Sequence, residues 1–116
     1  MQEKMIDRIP VCPHLKREDI DPYLVLSLER LEKEIKTPLE FSSGYRCPAC
    51  NAAAGGVKNS AHLRGKAVDI LADTSGERFL LVSAALAQGF SRVGVGKRFV
   101  HLDVDTSLPA FMLWLY

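Results

Sequence analysis

The stretch "SRVGVGKRFVHLDVD", residues 91–105, holds two runs of β-forming residues separated by Gly96 and Lys97. A glycine-led pair between two such runs fits a tight turn, so the spacing predicts two antiparallel strands. Strand periodicity in "FVHLDVD" sends Phe99, His101, Asp103 and Asp105 to one face and Val100, Leu102 and Val104 to the other. One face of this hairpin therefore needs a core to cover it, while the opposite face carries a histidine and two carboxylates.

Segments able to supply that cover lie N-terminal to the hairpin. "TSGERFLLVSAALAQGF" has Thr74 with Glu77 three places later, a capping-box pattern, then an apolar run closed by Gly89. Its helix is expected to be buried more nearly all round than an earlier one. That earlier helix is "DPYLVLSLERLEKEIK", with Asp21 as N-cap, Pro22 at the first helical position and apolar residues at Leu24, Leu28, Leu31 and Ile35. Pro38 ends its pattern, and "LEFSSGYR" alternates into a short strand before Gly44. A short helical piece over Asn51 to Ala54 stops at Gly55-Gly56, and the terminal "AFMLWLY" suits an edge strand or a contact surface. No repeat or linker interrupts the chain. The expected fold is α+β, with helices packed on a small antiparallel sheet, in one domain over residues 1–116.

Composition narrows the partners. The 116 residues are 47% hydrophobic and 25% charged, with a net charge of +1 and no basic stripe, so nucleic acid is not an expected partner. The first twenty residues break every apolar run with a charge or a proline, leaving no signal-peptide core and no membrane span. The expectation is a protein that stays in the cytoplasm as synthesised unless something else releases it.

"NSAHLRGKAVDI", residues 59–70, places His62 seven positions before Asp69. With Gly65 and Lys66 as the central residues of a hairpin turn, His62 would face Asp69 across it with Cβ atoms roughly 4.5 to 5.5 Å apart; the other expectation is an irregular loop ending in the strand. The bland reading of the pair is a surface hydrogen bond. His101 turns the pair into a set of two histidines and one carboxylate, which suits zinc and leaves a fourth position open, as in catalytic sites.

"SGYRCPACNAAAGGVKNSAHLRGKAVDI" followed by "GVGKRFVHLDVD" resembles the zinc D-alanyl-D-alanine carboxypeptidases and related cell-wall endopeptidases, metallopeptidase family fifteen, whose fold is shared with the hedgehog signalling domain. The resemblance covers roughly residues 20 to 105. It implies that His62, Asp69 and His101 bind zinc, and that Arg46 contacts a substrate carboxylate or the oxygen that becomes negative in the transition state. Ser60 matches a serine that either bonds the substrate backbone or holds the loop; Gly55, Gly56 and Asn51 shape the loop.

The implied activity is hydrolysis of a peptide bond in the peptidoglycan stem, by a carboxypeptidase or an endopeptidase, as in endolysin-like enzymes of cell-wall degradation. The sequence departs from the family at the general base. Relatives place an acid three residues, or a histidine two residues, before the last zinc histidine, where this chain has Arg98 and Phe99. Asp103, two residues after His101 and about 7 Å along the strand, is the remaining catalytic candidate, or else an acceptor that orients a ligand histidine. Asp105 is expected to be solvated or to end the strand. The gap at the base keeps open a non-catalytic zinc-containing peptidoglycan- or peptide-binding module, and also a structural component that the metal merely stabilises.

The odd number of cysteines argues against a disulfide framework. Cys47 is expected to be a small buried residue, Cys50 incidental and His14 on the surface. The alternative joins Cys12 and His14 to "CPAC" as a four-ligand zinc site, which requires the N-terminal segment to fold back onto the loop after Arg46.

Overall fold

The computed structural model describes residues 3–116. In chain order the elements are α1 (Met5–Arg8), α2 (Pro22–Ile35), β1 (Phe41–Ser43), α3 (Pro48–Ala53), β2 (Ala67–Leu71), α4 (Ser75–Ala87), β3 (Arg92–Val95), β4 (Phe99–Asp103) and β5 (Met112–Leu115), with 3-10 turns at Arg17–Asp19 and Ala61–Arg64. The strands form one sheet in the order β1-β2-β4-β3-β5. The fold is α+β as expected, but the sheet is mixed, because β5 runs parallel to β3 while the other pairings are antiparallel.

The hairpin of β3 and β4 forms in the register Val95↔Val100, and Gly96 N–H donates to the Phe99 carbonyl at 2.9 Å. The two residues of the bend are thus Lys97 and Arg98, one place later than the glycine suggested. Val100 and Leu102 of β4 join Val68 and Ile70 of β2 and Val93 of β3 in the core, beneath Leu24, Leu28 and Leu31 of α2 and Leu81 and Ala85 of α4. The alternation expected for "FVHLDVD" therefore holds, with the apolar row under the helices and His101 and Asp103 on the other side.

Helix α2 begins as its sequence dictates: the Asp21 carboxylate accepts from Tyr23 N–H at 2.8 Å, and Pro22 occupies the first turn. Helix α4 is capped by Thr74, whose hydroxyl accepts from Glu77 N–H at 3.1 Å. Its expected all-round burial is not found. Only Leu81 and Ala85 are buried, and Phe79, Leu80 and Leu86 are exposed, because the sheet covers a single stripe of this helix. No helix among the described residues is long and apolar enough to cross a membrane.

Candidate metal centre

Strand register builds two corners of the site. Asp69 on β2 and His101 on β4 are direct partners in the antiparallel ladder. The same row continues to Gly94 on β3 and Trp114 on β5. His101 Nδ1 lies 3.1 Å from Asp69 Oδ1.

The third corner arrives by a route other than the expected hairpin. Residues Ala61–Arg64 wind into a 3-10 turn that Gly65 closes in the left-handed region, at φ 68. Gly65-Lys66 is therefore no hairpin turn, and the cross-strand partner of Asp69 is His101 rather than His62. The irregular loop was the better expectation. A 3-10 turn wins because Ser60 caps it, its hydroxyl accepting from His62 N–H at 3.1 Å, and because His62 is fastened by its carbonyl to Arg46 N–H at 3.0 Å. The turn brings His62 Nε2 to 3.3 Å from Asp69 Oδ1.

Each imidazole has its far nitrogen held. His62 Nδ1 donates to the Gly44 carbonyl at 2.7 Å, and His101 Nε2 donates to Asp103 Oδ2 at 2.7 Å. The remaining nitrogens, Nε2 of His62 and Nδ1 of His101, face the Asp69 carboxylate, donating to it when they carry a proton and free to ligate a metal when they do not. One ligand atom from each of the three residues lies within 4.8 Å of the others, so the set could hold one metal ion.

Burial alone would raise the Asp69 carboxyl, but hydrogen bonds from His101 and then His62 outweigh it and hold the group well below the usual carboxylate range. Burial likewise works to lower His101, and the hydrogen bonds to Asp103 and Asp69 overcome it and raise the imidazole.

Asp103 is fully buried behind His101. Its Oδ2 is taken by His101, and its Oδ1 accepts from Arg92 Nε at 2.8 Å and from Asp105 N–H at 3.2 Å. Asp105 corrects an expectation, being buried rather than solvated. Burial would raise its carboxyl, but bonds from Ser107 and Arg64 lower it.

A cleft of about 430 Å³ opens over the centre, lined by Arg46, Gly56, Ser60, Phe99, Trp114 and Tyr116 among others. Arg46 makes no ion pair among the described residues, and its Nε is buried without a hydrogen-bond partner. Asn51 braces the loop as expected, its amide donating to the Val57 carbonyl at 2.8 Å, and its side chain fills the space that a Cβ on Gly56 would occupy.

Sequence reasoning missed the aromatic wall. Trp114 packs against His101 with ring centroids 5.2 Å apart and also receives the Arg92 guanidinium, 5.1 Å from its ring centroid. Period-two spacing in "AFMLWLY" puts Trp114 and Tyr116 on one side of a strand, but only the pairing of β5 with β3 aims that side at the site.

A search of curated proteins found no match to the chain. The family model for peptidase M15 matches residues 5–103, a span that takes in the 3-10 turn, β2 and β4 with all three corners of the centre. A match of that extent, running through all three corners of the candidate centre, means that the chain belongs to the peptidase M15 family.

Proposed function

We propose that the protein is a zinc-dependent peptidase that hydrolyses a peptide bond of the peptidoglycan stem, as a D-Ala-D-Ala carboxypeptidase or an L-Ala-D-Glu-type endopeptidase. The observation that carries this is the pair of imidazoles, each with its outer nitrogen occupied and its inner nitrogen turned toward Asp69 in the cleft that also holds the unpaired Arg46. The donors fit zinc. Atoms bound to one tetrahedral zinc at about 2.0–2.1 Å lie about 3.3 Å apart, and the two histidine nitrogens stand 3.3 and 3.1 Å from Asp69 Oδ1.

When bound, zinc supplies a Lewis acid for the scissile carbonyl and lowers the pKa of water toward about 7. The chain's own residues do the rest. His62, Asp69 and His101 hold the ion. Asp103 accepts the hydrogen bond of His101 Nε2–H, fixing the tautomer in which Nδ1 is free to bind, a positioning role, because both of its oxygens are already engaged. Arg46 offers forked donors to a substrate carboxylate or to a developing oxyanion. Ser60 holds the turn that carries His62, and Trp114, Phe99 and Tyr116 wall the cleft against water. In this reading the protein reaches its wall substrate after release from the cytoplasm.

One observation favours a second reading, a zinc-containing peptide-binding module. Asp69 and Asp103 are the only carboxylates lining the cleft among the described residues, and both are engaged. Incubating the zinc-loaded protein with purified peptidoglycan and synthetic stem peptides, with products read by mass, separates the two. New termini name the bond that is cut; intact peptides that bind while zinc is retained select the module. Arg46→Ala should weaken peptide binding or raise KM about 10- to 100-fold, since it removes charge-assisted hydrogen bonds.

A further inference from the structure

A second cluster of metal-ligating side chains lies outside this cleft. Cys12, His14, Cys47 and Cys50 each present one ligand atom within 4.8 Å of the others. Cys12 Sγ is 2.8 Å from Cys50 Sγ, 3.1 Å from Cys47 Sγ and 3.5 Å from His14 Nδ1. All three cysteines are free.

The surrounding backbone builds the cluster from two distant segments. Val11 and Tyr45 form a bridge, fastened by Cys12 N–H to the Tyr45 carbonyl at 2.9 Å and Tyr45 N–H to the Pro10 carbonyl at 2.9 Å. The N-terminal segment thus does fold back onto the loop after Arg46, which was the condition the sequence left open. A turn closed by Leu15 N–H on the Cys12 carbonyl presents Cys12 and His14 together. On the other segment Cys47 caps α3, its Sγ accepting from Cys50 N–H at 3.4 Å, so the start of that helix presents Cys47 and Cys50 side by side.

We propose that these four residues form a structural zinc site of the Cys3His type, separate from the centre in the cleft. Three sulfurs and one imidazole nitrogen make a complete tetrahedral set with no open position, the arrangement of structural rather than catalytic zinc. Sulfurs about 2.3 Å from a shared zinc lie about 3.8 Å apart, so binding needs the sulfurs to part by about 1 Å or less. The ion replaces the thiol protons and a crowded thiol contact with four bonds. Its position assigns its role. Cys47 directly follows Arg46, and Tyr45, bridged to the N-terminal segment, directly follows Gly44, whose carbonyl orients His62. The zinc clamps the N-terminal segment to the loop that carries Arg46.

The test counts metal and thiols in the full chain, purified with reductant and loaded with zinc. Elemental analysis should find two zinc per wild-type chain, one in Cys50→Ala and one in His101→Ala. Cobalt exchanged into wild type and His101→Ala should give intense near-ultraviolet thiolate-to-cobalt charge transfer. Three thiols should titrate in denaturant with chelator, and none in the native zinc-loaded protein. The thiol and cobalt readings on wild type stand even if Cys50→Ala does not fold. A single denatured thiol, which marks a disulfide, would overturn the proposal. So would one equivalent of zinc in both wild type and Cys50→Ala, or cobalt without the thiolate band. Loss of metal from the cleft centre alone would count against the peptidase reading and leave this site standing.

Discussion

Asp103 is the residue whose chemistry changes most between chain and fold. On the strand it stands two places beyond His101, a spacing compatible with proton transfer or with support. In the fold it accepts from His101, from Arg92 and from the Asp105 amide, so both of its oxygens are engaged. Asp103→Asn should therefore weaken zinc binding at the cleft centre about 10- to 100-fold, because the amide is a poorer acceptor for the imidazole proton. Competition with a chromophoric chelator measures it; wild-type affinity together with lost turnover would instead make Asp103 the base. Gly94 is the second informative residue. A Cβ there would stand 2.5 Å from Trp114 Nε1, so Gly94→Ala should push the indole off His101 at a cost of about 1–3 kcal/mol. Trp114 is the only tryptophan, so urea unfolding followed by its emission reports both the lost stability and the displaced ring.

At the scale of elements, α2 and α4 follow local rules and the turn that carries His62 does not. Asp21-Pro22 and Thr74 start α2 and α4 where capping chemistry places them. The segment from His62 to Asp69 fits a hairpin about Gly65-Lys66, but Tyr45, Asp19 and Ile20 crowd Gly65, and its carbonyl accepts from Asp21 N–H at 2.9 Å. Gly65→Ala should cost about 1–2 kcal/mol for the left-handed backbone, and its Cβ would also approach the Asp19 carbonyl to 3.1 Å. Since this residue ends the turn bearing His62, the variant should also bind zinc more weakly in the cleft, as seen by calorimetric titration. A variant that loses stability yet keeps wild-type zinc affinity would show that the turn tolerates the shift.

Across the whole molecule, the N-terminal segment is held by charge as well as by the proposed zinc. Arg8 forks onto Glu32 at 3.0 and 2.7 Å and also donates to the Leu39 carbonyl, while Leu39 N–H donates to Glu32 at 2.8 Å. One arginine thus ties α1 to α2 and to the approach of β1. The Arg8 hydrogen bonds hold the Glu32 carboxyl below its ordinary value, against burial and with help from the Leu39 amide. A folded pKa below the unfolded one means stability present above the unfolded value, about 4.3, and lost as pH falls through the folded value. Glu32→Gln should cost about 1–2 kcal/mol at pH 7. Its difference from wild type should shrink as pH falls below the unfolded value, about 4.3, in urea unfolding series run across acid pH; a gap that stays constant through that fall would mean that packing rather than charge is at work.

The residue pattern by itself determined helices α2 and α4, the β3–β4 hairpin and the face on which His101 lies. Each of these rests on interactions within a few residues: caps, proline and glycine geometry, and the alternation of a strand. Tertiary structure decided which side chains meet. Asp69 faces His101 only because β2 pairs with β4, Trp114 covers the site only because β5 adds in parallel beside β3, and Cys12 reaches Cys50 only because the chain at Val11 bridges to Tyr45. Those meetings join residues far apart in sequence through strand order and register, which are set by burying one shared apolar face and are not written in any single segment.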